Sequence, residues 1–97
     1  MPELQVIARH TVLPDKVADV FAVLPKLIEA SRAEAGNIEF IAYRSVDDER
    51  SYVLLERYES RDAFAQHRES EHFKEFMLGQ ILPNLEQRTI EQYDVPE

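Results

Sequence analysis

Leu4, Val6, Ala8, His10 and Val12 alternate with Gln5, Ile7, Arg9 and Thr11, so residues 3–12 are read as a strand with one strongly apolar face. Pro14 ends it. From Asp15, a predicted N-cap, apolar residues fall at Val17, Val20, Phe21, Leu24, Leu27 and Ile28, the spacing of a helix over residues 15–34. Pro25 inside it removes a backbone donor and predicts a kink, and Gly36 fits the left-handed residue that closes a helix. Residues 37–46 and 50–59 are rich in Ile, Phe, Tyr, Val and Leu and flank the polar turn Asp47-Asp48-Glu49, which predicts a hairpin. Ser60 and Ser70 stand where N-caps belong, heading a short helix at 61–68 and a longer one at 71–82. Phe73, Phe76, Met77 and Ile81 give the longer helix its buried stripe, Leu82-Pro83 ends it, and residues 87–94 form a last strand.

The order strand, helix, strand, strand, helix, strand is the split βαβ arrangement. It predicts an α+β, ferredoxin-like βαββαβ fold: a four-stranded antiparallel sheet with both long helices on one face. The other face is then bare, and its Val, Leu, Ile and Tyr content would form a large apolar patch. Two such sheets packed face to face would hide it, so a homodimer is expected.

At 97 residues the chain supports one hydrophobic core, and residues 1–97 are read as one domain. Nineteen acidic against eleven basic residues give a net charge of −8, a field that repels phosphate backbones and anionic membranes, so neither nucleic acid nor membrane is an expected partner. With no cysteine, disulfides and thiolate metal sites are excluded. The first residues lack a basic stretch followed by an apolar one, and a cytoplasmic location is expected.

Three histidines are the natural general bases. His10, on the apolar face of the first strand, reads as a packed or interface residue. His67 ends the short helix, where a cation complements the helix dipole. His72 lies in the first turn of the next helix, a common place for a packing role. Glu56 is more informative: it shares a strand face with Tyr52, Leu54 and Tyr58, and a carboxylate in an apolar row must be paired or line a pocket. Helices packed over that face could bring His67 or His72 within reach, either as a catalytic pair or as an ion pair pinning helix to sheet. Tyr43, Tyr52 and Tyr58 could line a pocket for an aromatic ligand, although strand aromatics usually belong to the core. No glycine-rich phosphate loop, Gly-x-Ser-x-Gly elbow or clustered metal-ligand spacing is present, and His67 and His72 are separated by the capping Ser70. No metal is expected.

Glu34-Ala35-Gly36, Glu56-Arg57-Tyr58, Phe64-Ala65-Gln66-His67 and Ser70-Glu71-His72-Phe73, within residues 31–76, resemble the pattern of the antibiotic biosynthesis monooxygenase family. The resemblance implies a dimeric α/β barrel whose subunits each keep a pocket between sheet and helices. It also implies cofactor-free oxygenation of a quinol or phenolic aromatic substrate by O₂, although relatives include an isomerase of a phosphorylated sugar and proteins without a known substrate. Haem-degrading relatives carry Trp where this chain has His67 and an axial His near Met77, and this chain has no Trp. Neither haem nor any other cofactor is expected.

On that resemblance His67 is cast as the base, Glu56 as the group that orients it, and Asn37 as a donor to the substrate oxygen. Tyr43, Tyr58, Phe64 and Phe73 would wall the pocket, with His72 beside them. The alternative is a dimeric binding or stress-response protein, or an isomerase, using the same pocket without O₂ chemistry.

Overall fold

The computed structural model describes residues 2–96. Strand β1 (Leu4–Val12) leads into helix α1 (Val17–Arg32), the hairpin β2 (Asn37–Arg44) and β3 (Ser51–Tyr58), helix α2 (Arg61–Glu69), a π-helix (Phe73–Ile81) that passes into a 3₁₀ turn (Leu82–Asn84), and β4 (Leu85–Asp94). The sheet order is β2-β3-β1-β4 and every pairing is antiparallel, which is the ferredoxin-like βαββαβ arrangement. No helix among the described residues is long and apolar enough to cross a membrane.

Register decides which side chains meet the helices. Val6 lies opposite Glu56, Ala8 opposite Leu54 and His10 opposite Tyr52, and Phe40 lies on the far side of Glu56. These residues are buried under the helices. Their neighbours Ile7, Val53, Leu55 and Tyr43 project from the helix-free face, where Val53 and Leu55 are half-buried and Tyr43 is 55% exposed. Beneath α1 and the π-helix, the main core gathers Val20, Leu24, Leu27, Phe40, Leu54, Met77 and Ile81. A smaller cluster of Leu4, Val6, Tyr58 and Phe64 lies beneath α2. β4 is the edge strand beside β1, and most of its residues are exposed.

Several local expectations are corrected. Helix α1 is preceded by Lys16 with no side-chain cap, so Asp15 does not cap it. It runs through Pro25, whose ring is exposed, and ends at Arg32. Gly36 does not have positive φ. Its role is close approach, since a Cβ there would stand 2.5 Å from the Cβ of Ala63 in α2. The second long helix is wound as a π-helix, with the Leu82 N–H reaching back to the Met77 carbonyl. A period-based reading does not separate these windings, because Phe73, Met77 and Ile81 face the core in both.

The serine caps take the predicted positions. Ser60 Oγ accepts from the Ala63 N–H at 3.1 Å. Ser70 joins two elements: its Oγ donates to the His67 carbonyl at 2.6 Å and accepts from the Phe73 N–H at 3.2 Å. It therefore fixes both the end of α2 and the start of the next helix.

Candidate active site

Two helix ends, one turn and the middle of β3 converge on a buried polar cluster. His67, in the last turn of α2, is 2% exposed. Phe40, Tyr58, Phe64 and Phe73 surround its ring with centroids 5.1 to 6.2 Å away. Its Nδ1 lies 2.7 Å from Glu34 Oε2, in the turn between α1 and β2. The same oxygen lies 2.5 Å from His72 Nε2. Read as hydrogen bonds to one shared acceptor, the two contacts assign the His67 donor to Nδ1 and leave Nε2 as its other ring nitrogen. That nitrogen is 4.0 Å from Glu56 Oε1.

Glu56 is 4% exposed, and its Oε1 accepts from Tyr58 O–H at 2.6 Å. Burial pushes its carboxyl up to about 7, against the smaller opposing effects of the Tyr58 hydrogen bond and the charges of His67 and Arg88. Burial, together with the adjacent Glu56, moves Tyr58 well above the usual phenol range, so Tyr58 stays a donor.

A chamber of about 80 Å³ is lined by Glu56 and His67, with Phe64, Phe73, Met77 and Ile90 among its apolar walls. Beside it lies a cleft of about 430 Å³ that shares Arg68, Phe73 and Arg88 with the chamber. A larger hollow of about 570 Å³ lies around Arg9, Thr11, Tyr43 and Val53, largely on the helix-free face. No carboxylate lines it, so the chamber at Glu56 and His67 is the chemically equipped site despite its smaller size.

The predicted site residues distribute as follows. His67, Glu56, Phe64 and Phe73 meet at the chamber. Tyr58 supports Glu56 from within the core, and His72 stands behind His67 through Glu34. Asn37 donates its amide to the Glu39 carbonyl at 3.2 Å and does not line the chamber. Tyr43 projects from the helix-free face, away from the chamber. Glu34 is the partner that residue spacing missed as a site residue: it lies 33 and 38 positions from the two histidines it joins. Its presence in the Glu-x-Gly element was the available signal.

Glu34, His67 and His72 present ligand atoms that all lie within 4.8 Å of one another, a set able to hold a metal ion. Bonds of about 2.0 to 2.1 Å to a tetrahedral ion would hold such atoms roughly 3.4 Å apart. The carboxylate oxygen instead stands 2.7 and 2.5 Å from the two nitrogens, the separations of shared protons. As it stands, the cluster is hydrogen-bonded.

The profile of the family described as "Antibiotic biosynthesis monooxygenase" matches residues 4–78, which include this whole polar cluster. The chain belongs to that family. Among its relatives, "Putative monooxygenase Rv0793" of Mycobacterium tuberculosis is 38% identical over 79 residues, spanning 79% of this chain and 77% of that protein. "Putative monooxygenase YcnE" of Bacillus subtilis is 32% identical over 66 residues, spanning 68% and 70%. The solved structure of Rv0793 superposes with a TM-score of 0.89 at 30% identity, covering 98% of this chain and 96% of that one. β4 beyond residue 78 lies outside the family match, yet it supplies Arg88, Ile90 and Gln92 to the chamber.

Proposed function

We propose that this protein is a cofactor-independent monooxygenase acting on a small phenolic or quinol substrate, and that it works as a homodimer. The observation that carries the reading is the buried Glu56 carboxyl, pushed up to about 7 and 4.0 Å from His67 Nε2 in an aromatic-walled chamber. A group poised near the working pH accepts and returns a proton most effectively, and Glu56 is such a group. His67 Nε2 accepts the phenol proton, Glu34 holds the imidazole by Nδ1, and Glu56 stabilises the imidazolium or receives its proton.

The phenolate then gives one electron to O₂. Phenoxyl radical and superoxide combine to form a carbon–oxygen bond at a ring carbon bearing hydrogen. Loss of that hydrogen as a proton, with cleavage of the O–O bond, gives the quinone carbonyl and water. All four electrons that reduce O₂ come from the substrate, so the balance requires no flavin, haem or metal. Phe64 and Phe73 keep the ring dry, and Tyr43 and Asn37 take no part.

Oxygen uptake over a panel of quinols and phenols tests the reading, with EDTA-treated protein expected to retain full activity. Binding without uptake across the panel would favour the ligand-binding or isomerase alternative. The dimer rests on the helix-free face, where Ile7, Ile41, Val53 and Leu55 line up across three strands. Light scattering at micromolar concentration is expected to give twice the 11.3 kDa chain mass.

A further inference from the structure

Among the described residues, two exposed guanidiniums flank the chamber without an ion-pair or hydrogen-bond partner. Arg9, Arg50, Arg57 and Arg61 all sit against carboxylates. Among the described residues, Arg68 and Arg88 form no ion pair and no side-chain hydrogen bond to protein, although the chain carries nineteen acidic residues. Both line the chamber and the adjoining cleft.

Arg68 lies in the last turn of α2, where a cation complements the helix dipole, and its guanidinium stands 5.6 Å from the Phe64 ring centroid. Arg88 has no such local explanation. It lies on β4 opposite His10, and its charge reaches three buried groups, His10, Tyr52 and Glu56. Both arginines are exposed where chamber and cleft adjoin, and two fork-shaped donor sets beside Phe64 and Phe73 match a flat anion attached to a ring. Glu69 also lines the cleft, and the chain is acidic overall, which disfavours a dianion such as a phosphate ester.

We infer that the substrate is an aromatic acid, its carboxylate held by Arg68 and Arg88 at the chamber mouth while its ring lies between Phe64 and Phe73 against His67. The inference rests on the proposed phenol chemistry for the placement of the ring, but the carboxylate clamp is a matter of binding and needs no turnover. Arg68 lies within the family match at residues 4–78, and Arg88 lies beyond it on β4.

Anaerobic calorimetry on the full chain tests it with 2,5-dihydroxybenzoate and its neutral amide, 2,5-dihydroxybenzamide, which share ring, hydroxyls and size. The acid is expected to bind about tenfold or more tighter than the amide at low ionic strength, with the preference shrinking as salt is added. The double variant Arg68→Gln/Arg88→Gln is expected to bring the ratio to about 1 while circular dichroism shows the fold retained.

Equal binding of acid and amide by the parent, binding of neither at millimolar concentration, or a ratio that survives both substitutions overturns the inference. Tighter binding of phenyl phosphate than of benzoate overturns the ligand class. His67→Ala is expected to keep the acid preference. A protein that binds the acid selectively but consumes no O₂ would refute the oxygenase proposal while leaving the clamp intact.

Discussion

Two histidines are buried between sheet and helices, His10 on β1 at 1% and His67 on α2 at 2% exposure, and they are opposites in chemistry. Among the described residues His10 meets one neutral hydrogen-bond partner: its Nδ1 is 2.7 Å from Tyr52 O–H, and its Nε2 has none. Desolvation, aided by the charge of Arg88, lowers its pKa to about 4, so it remains neutral and packs edge-on against the phenol. His67 is held by Glu34, faces Glu56 and lines a chamber. Burial is therefore common to a core residue and a candidate base. Carboxylate neighbours separate them, since His10 also borders a hollow, one that no carboxylate lines.

The largest test of that contrast is activity. His67→Ala is expected to lower turnover by about 10² to 10⁴, the range for loss of a general base, with the fold intact by circular dichroism. Replacing the other pair by apolar groups, His10→Leu with Tyr52→Phe, removes both hydrogen-bonding partners together and is expected to leave turnover within a factor of about three. Equal losses in both would erase the distinction. A His67→Ala variant that melts far earlier than the parent yet turns over normally would make the Glu34–His67–Glu56 cluster architecture alone.

The two regions also respond to pH with opposite sign. His10 moves from 6.5 to about 4 on folding, so its contribution is fully present above pH 6.5 and is lost as pH falls toward 4. A shift of that size corresponds to about 3 kcal/mol. Glu56 moves from 4.5 to about 7, so it costs nothing below pH 4.5, and its cost grows to a similar figure of about 3 kcal/mol as pH rises through 7. Urea unfolding from pH 4 to 8 is expected to show the acid limb flattened in the His10→Leu/Tyr52→Phe variant. Glu56→Gln should be more stable than the parent above pH 7. Profiles parallel to the parent's would mean that neither group carries its assigned limb.

A smaller effect concerns how α2 is docked beside the cluster. Gly36→Ala would drive a methyl to 2.5 Å from the Ala63 Cβ, and the strain is expected to cost about 1 to 3 kcal/mol. Combining it with Ala63→Gly should recover much of that loss, measured as melting temperature. Ser70→Ala, which removes both hydroxyl contacts between α2 and the π-helix, is expected to cost about 1 kcal/mol. It should leave the His10 region unchanged by amide exchange while loosening Phe73.

Alternation and helical spacing were sufficient for the fold. A strand has period 2, so Leu4 through Val12 and Tyr52 through Tyr58 each declare one buried face, and Glu56 stood out because it interrupts such a face. The serine caps were legible for the same reason, being local hydrogen bonds over three residues. Spacing did not reveal what brings Glu34 to His67 and His72, the residues that present arginines to the chamber, or which tyrosines face it. Those depend on the register of β4 against β1 and on the helix C-terminal turn closing beside α2, contacts between segments tens of residues apart. The sequence by itself determined the elements and their apolar faces, because those follow from interactions a few residues long. The cluster of Glu34, His67, His72 and Glu56 and the lining of the chamber were decided by tertiary structure, because packing alone brings polar groups tens of residues apart together in a medium dry enough to raise the Glu56 pKa.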